Sequence, residues 1–318
     1  MIDEKKIISA TAPPTIANIA VGFDSLGMAV KGIGDIVQVR FTDDPGIHIV
    51  EIAGDQGKLP LDALKNTASA GAVKMLTDLI AAGKISADIG VAMRIEKRMH
   101  LGTGLGSSAS SAAAGMMAVN ELLGKPLTKK ELGPYALIGE SKASGSVHGD
   151  NVIPALWGGT VLVRETSPLD AIALPSIKGL IILVLHPHVE VLTSESRARL
   201  KTEISLKDHI MQSADQAAFI HALHTQDSAL LKRSMNDRVI GPQRVADIPL
   251  FAIAKAVAMN HGALNYDISG SGPSSFSFFT SAEQSRKALD DLSELFHQNG
   301  IGLDAHLTSL DEEGARII

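Results

Sequence analysis

The chain has no cysteine. Disulfides, thiolate metal ligands and a cysteine nucleophile are thereby excluded together, and a cytosolic address is the simplest expectation. Aromatic residues are scarce at 3%, too few for the stacking platforms that bind single-stranded nucleic acid. Positive charge is not in excess either: 29 Lys and Arg stand against 35 Asp and Glu, a formal charge of -6. A broad surface for a phosphate backbone is not expected, and no nucleic acid partner with it. Long apolar runs are also missing. The most apolar stretch, GLIILVLHPHV around Ile181, is of strand length and well short of the ~20 residues needed to cross a bilayer. The opening MIDEKKIISA lacks the apolar core of a signal peptide, so no membrane partner is expected. What remains is an ordinary globular composition, 45% hydrophobic and 20% charged over 318 residues. Because a single core stops growing near roughly 250 to 300 residues, two domains are expected.

The patterning alternates between strand and helix. Ile7–Ala10, Asp35–Thr42, Ile47–Glu51 and Val91–Glu96 are short and rich in Ile and Val, and IVQVRF alternates as a strand with one wet face does. Thr67–Ala82 carries apolar residues at helical spacing up to Gly83, and Ser107–Leu123 reads as a helix closed by Gly124 and Pro126. Thr128–Ser144 is a third helix, opened by the capping box TKKE. PALWGGTVLVRE reads as a strand pair or hairpin. TSPLDAIALPSIKG has two prolines and little periodicity, which puts a domain break near Ser167 and divides the chain into 1–167 and 168–318. Beyond it come a strand at Leu180–Leu185, one or two helices within Leu206–Asn236 and a helix at Leu250–Asn260. The strands ALNYDIS and SSFSFFT flank the tight loop GSGP, and a helix at Ala282–His297 precedes a last strand at Leu303–Leu307.

One segment gathers residues of little bulk: HLGTGLGSSASSAAAG, His100 to Gly115. It is not a Walker phosphate loop, because no lysine follows Gly106. Nor is it a dinucleotide fingerprint, since Gly102, Gly104 and Gly106 are spaced one residue too tightly and Glu121 falls inside the helix pattern. Two readings stay open on these residues alone. Backbone amides and the N-terminus of the following helix could wrap an anion, or a glycine-rich turn could simply lead into a helix of small residues that packs closely.

Three more segments set turn glycines among polar residues in apolar surroundings: TAPPTIANIAVGFDSLGMAV (Thr11–Val30), SGSVHGDNVIPALWGG (Ser144–Gly159) and ISGSGPSSF (Ile268–Phe276). With GLGSSAS, in this order and spacing, they resemble the GHMP family of small-molecule kinases over nearly the whole chain. ANIAVGFDSLG, SGSVHGDNV and TSESRARL resemble the branch of that family that acts on homoserine. The family commonly has a proline at about the position of Leu101, a departure expected to alter the loop entry and not the cradle. The resemblance implies an α+β fold of two domains, the N-terminal one with a left-handed β-α-β crossover and the C-terminal one ferredoxin-like, with the site between them. It implies ATP and Mg²⁺, and transfer of the γ-phosphoryl group to the side-chain hydroxyl of L-homoserine, giving O-phospho-L-homoserine on the route to threonine. The oligomeric state stays open, a homodimer among the assemblies allowed.

The resemblance also assigns residues. Gly102, Gly104, Leu105, Gly106, Ser107 and Ser108 form the phosphate cradle, and Ser108 and Glu140 hold Mg²⁺. Asn66 contacts the adenine, although capping the helix that follows would also explain it. Asp24 meets the substrate ammonium with Asn18 beside it, and His148 touches the substrate. Arg197 and Arg244 meet the carboxylate, because a guanidinium offers it a rigid fork; Arg199 and Arg238 are the neighbouring alternatives. In some relatives the aspartate matching Asp150 is a general base. In the homoserine branch the expectation is that Asn151 orients the hydroxyl and no base is needed.

Overall fold

A computed structural model of the chain describes residues 6–144, 147–189, 191 and 193–318. A five-stranded sheet is built from β1 (Ile8–Thr11), β4 (Ile36–Thr42), β5 (Gly46–Ala53), β6 (Gly90–Glu96) and β13 (Arg316–Ile317), in the order β13-β1-β4-β6-β5. β5 and β6 are parallel neighbours joined through helix α1 (Thr67–Ala81), and the other pairs are antiparallel. The alternation of IVQVRF resolves as expected: Val37 and Val39 are buried and Arg40 is exposed. Helices α1, α2 (Ser107–Leu122), α3 (Gly133–Ser144) and α4 (Val152–Trp157) belong to the same layer, and Met75, Met93, Ala112, Ala113, Val119 and Ile153 share its core. The alanines of α2 are what let this helix lie close to the strands.

A second, antiparallel sheet contains β2 (Thr15–Ala17), β3 (Leu26–Ala29), β7 (Thr160–Thr166) and β8 (Leu169–Leu174). The third contains β9 (Ile181–Pro187), β10 (Asp267–Ile268), β11 (Ser275–Phe279) and β12 (Leu303–Thr308), in the order β10-β11-β9-β12, again antiparallel. Between β9 and β10 run α5 (Thr193–Ala198), α6 (Leu206–Thr225), α7 (Ser228–Ser234), α8 (Gly241–Arg244) and α9 (Phe251–Asn260). Helix α10 (Ala282–Gln298) links β11 to β12. A first strand flanked by the third and fourth, with helices in both crossovers, is the ferredoxin-like arrangement. Ile16, Leu26 and Met28 of the second sheet pack with Ile182, Phe278 and Phe219 of the C-terminal half, so the two halves share a core.

Two elements differ from the sequence expectation. PALWGG does not begin a hairpin: Val152–Trp157 is a helix, wholly buried through Leu156, with Pro154 in its first turn, where a missing N–H costs nothing. A short apolar run buried on all sides carries no periodicity that separates helix from strand. The hairpin lies one element later, as β7 and β8, and Ser167 falls in its turn. The TKKE box does form, with Glu131 accepting from the N–H and hydroxyl of Thr128 at 2.7 Å each, but it caps a turn and α3 starts at Gly133.

Candidate active site

The glycine segment leads straight into α2. Gly102, Gly104 and Gly106 have φ of 72°, 76° and 71°, a region that side chains disfavour. At Gly106 a Cβ would also stand 2.0 Å from the Thr15 hydroxyl. Gly106 is the N-cap of α2 and supplies no side-chain cap, and the first turn carries no acidic residue. The N–H groups of that turn have no acceptor within the helix, so an anion is the natural complement.

Beneath the loop lies a buried ion pair. Lys97 pairs with Asp35, and its ammonium also donates to the hydroxyls of Ser107 and Ser111, each at 2.8 Å, and to the Ser107 carbonyl at 3.2 Å. Asp35 accepts from the N–H groups of Arg98 and Met99 at 2.9 and 3.1 Å. Burial lowers the Lys97 pKa, and the Asp35 charge opposes that pull. The Ser107 side chain is thus committed to the scaffold, and its N–H alone is offered to the cradle.

A cleft of about 410 Å³ opens in front of α2, lined among others by Gly102, Gly104, Gly106, Ser107, Ser108 and Glu140, and by Asn18, Asp24, His148, Asp150, Asn151, Arg197 and Arg244. Nearly every residue expected at the site therefore meets in one place, drawn from both halves of the chain. Glu140, 7% exposed, accepts from the Ser108 hydroxyl at 3.1 Å. Burial pushes its carboxyl up to about 8 against that hydrogen bond. Asp150 is pushed up to about 7, by burial first and the Asp24 charge second. Asn151 accepts from the Thr15 hydroxyl at 2.7 Å, which occupies its oxygen and leaves its amide N–H groups for other partners.

Opposite charges also stand side by side on the cleft lining. Arg197 donates to Asp24 at 2.7 Å, and His148 lies 3.5 Å from the same carboxylate. Arg244 donates to the Gly270 carbonyl at 2.7 Å, while its Nε, buried, has no partner among the described residues. Both guanidinium carbons lie 5.2 Å from the centre of the Phe23 ring, within cation–π range. Burial and the Arg197 charge lower the Arg244 pKa, and burial does the same to His148. Two like charges on one ring, one with an idle N–H, make a receptor for an anion, and Asp24 beside them suits a cation.

Some expected residues stand elsewhere or act differently. Asn66 caps α1, accepting from Ala68 N–H at 3.0 Å and donating to the Pro60 carbonyl at 2.9 Å, and does not line the cleft. Leu105 does not line the cleft: its N–H donates to the Thr103 hydroxyl at 3.3 Å, its carbonyl accepts from Thr15 N–H at 3.0 Å, and its side chain packs toward the second core. Asn18 spends its amide on the scaffold, accepting from Asp24 N–H at 3.1 Å and donating to the Gly270 carbonyl at 3.2 Å. Arg199 pairs with Asp247 and Arg238 with Asp215, both away from the cleft. In SGSVHGDNV, residues 145 and 146 lie outside the described residues. Thr15, Phe23 and the Lys97–Asp35 pair escaped the sequence reading. Phe23 was the most legible, a lone aromatic inside GFDSLG.

Residues 68–159 match the GHMP kinases N terminal domain and residues 219–298 the GHMP kinases C terminal domain. The homoserine kinase of Chlorobium phaeovibrioides is 41% identical over 98% of this chain and 100% of its own length. That of Chloroherpeton thalassium is 39% identical over the same shares. Among solved structures, homoserine kinase from Cytophaga hutchinsonii matches with a TM-score of 0.93 and 41% identity, covering 100% of this chain and 99% of that one. Mevalonate kinase from L. major, at 15% identity and a TM-score of 0.67 over 98% of this chain and 99% of that one, shares the fold alone. The chain belongs to the GHMP kinase family of small-molecule kinases. Its full-length relatives place it in the homoserine kinase branch of that family.

Proposed function

We infer that the protein transfers the γ-phosphoryl group of ATP to the side-chain hydroxyl of L-homoserine, giving O-phospho-L-homoserine on the route to threonine. The observation that carries this reading is one cleft lined both by an uncapped helix N-terminus and by the Arg244, Arg197 and Asp24 cluster. An amino acid bears its ammonium and carboxylate on one carbon, so adjacent groups of opposite sign are its complement. Mevalonate and sugars have no ammonium for Asp24 to meet.

Phosphoryl transfer asks for positioning and for neutralised charge more than for a strong base. The N–H groups of the glycine loop and of the first turn of α2 receive the phosphates. The nucleoside extends past Leu101 into the adjoining cavity of about 390 Å³ lined by Gly54, Lys58 and His186. Asn151 directs its amide toward the homoserine hydroxyl, and Asp150 tunes the local charge without taking the proton.

The residues at hand fit Mg²⁺. Ser108 and Glu140 offer hard oxygen atoms, and the Glu140 carboxylate, pushed up by burial, faces the cleft. Bound there, the ion would offset charge on the phosphate oxygens. No group of three or more His, Asp or Glu suited to a metal occurs among the described residues, so phosphate and water oxygens would complete its shell.

The test is purified protein with ATP and Mg²⁺ against L-homoserine, L-serine, L-threonine, mevalonate and galactose, read as ADP release and product mass. L-Homoserine is the expected preferred substrate, and preference for any alcohol that is not an amino acid rejects the assignment.

A further inference from the structure

Arg244 stands at the end of α8, which is only four residues long. So short a helix has too few internal hydrogen bonds to fix its own direction. The Asp237 carboxylate supplies the missing anchor. Its Oδ1 accepts from Val239 N–H at 3.0 Å and Ile240 N–H at 2.8 Å, and its Oδ2 accepts from Gly241 N–H at 2.6 Å. The fit is tight from the helix side as well: a Cβ on Gly241 would lie 3.1 Å from Oδ2 and 3.3 Å from Cγ. Asp237 does not line the cleft. Burial pushes its carboxyl up, and the three N–H groups and the Arg244 charge oppose that.

We propose that Asp237 is a positioning residue for the substrate-carboxylate subsite: by gathering the N–H groups of residues 239–241 it sets the direction in which α8 presents Arg244 over Phe23. The inference rests on the reading of Arg244 as the carboxylate ligand. It makes Gly241 part of the same device, because a side chain there would shift the carboxylate by a few tenths of an ångström against its three donors.

Asp237→Asn keeps one acceptor and turns an amide N–H₂ toward the Gly241 N–H. Its KM for L-homoserine should rise by roughly 10-fold or more, since charged hydrogen bonds are lost and each decade is about 1.4 kcal/mol. Its KM for ATP should stay within about threefold, because the cradle is untouched. Gly241→Ala disturbs the same contact without changing charge, and should raise the homoserine KM by roughly threefold or more through misplacement alone. The deciding measurement is the cycle with Arg244→Leu. In that background Asp237→Asn should add less than about twofold, because the two act through one group. L-Homoserine amide, which lacks the carboxylate, should be used equally by wild type and Asp237→Asn.

Additive losses in the cycle, a fall in kcat with the homoserine KM unchanged, or equal rises in both KM values would overturn the proposal as a general loss of structure. If Arg244→Leu itself leaves the homoserine KM unchanged, the carboxylate reading fails first and visibly, and the proposal falls with it. Should Asp237→Asn not fold, Gly241→Ala and its cycle with Arg244→Leu decide the same question.

Discussion

Ser108 contributes its hydroxyl to Glu140 and its N–H to the uncapped turn of α2. Ser108→Ala should therefore lower kcat by about 10² to 10³, the usual loss when a charge-stabilising contact is removed, with little change in the Kd for metal-free ATP; single-turnover kinetics beside equilibrium titration separates the two. On the proposed reading Arg244 bears on the other substrate. Arg244→Leu should raise the homoserine KM by roughly 10- to 150-fold, corresponding to about 1.5 to 3 kcal/mol for a charged hydrogen bond. The KM for ATP should hold within a few-fold, and lysine at the site should recover only part of the loss, because a point charge does not reproduce the fork. Asp150 decides the mechanism. Its carboxyl, raised to about 7, has the acidity of a base working near neutrality, whereas the proposed reading has Asn151 orient the hydroxyl without one. Asp150→Asn should cost less than about 10² in kcat, whereas a larger loss in a folded variant would assign the base to it.

Helix α2 works as an element because its N-terminus is held from below. The Lys97–Asp35 pair ties the end of β6 and the start of β4 to Ser107 and Ser111, so the first turn sits where the glycine loop delivers it. Removing one partner leaves a buried charge alone. Lys97→Met should lower the unfolding free energy by about 3 to 5 kcal/mol, whereas Lys97→Met with Asp35→Leu should recover much of it, since a packed apolar pair can equal a buried ion pair in stability. Urea unfolding of the three proteins measures this. Activity should not return with stability in the double variant, because the serines then lose the ammonium that orients them.

Across the whole molecule, buried carboxylates make stability depend on pH. Asp267 on β10 has its carboxyl pushed up to about 7, by burial first and the Asp237 charge second, while in the unfolded chain an aspartate titrates near 3.9. Between those values the folded state holds a proton that the unfolded state has released. The contribution of Asp267 is thus most favourable below about pH 4, declines as pH rises through about 7, and is flat beyond. Asp267→Asn removes the titration while keeping the shape. By calorimetry the variant and wild type should melt closest together at about pH 4, and the variant should melt several degrees higher at about pH 8. A Tm difference that does not widen with pH would show that Asp267 stays ionised in the fold.

Local pattern by itself determined the strands and helices whose burial is one-sided, as in IVQVRF and the 67–82 segment, because period two or near four records which face meets a core. It also raised an anion at the residues after Gly102 as one of two readings, since a glycine-rich turn ahead of a helix start is a local feature. Segments buried on every side, such as Val152–Trp157, leave no such record, and short strands such as Thr15–Ala17 exist only through their partners. Only the tertiary structure brought Arg197 to Asp24 across 173 positions, spent the Asn18 and Asn66 amides on the scaffold, and buried Lys97, which at the end of a strand looks like any surface lysine. Pairings of that kind depend on where distant segments come to rest, and a charge or an amide carries no mark in the chain of the partner that will satisfy it.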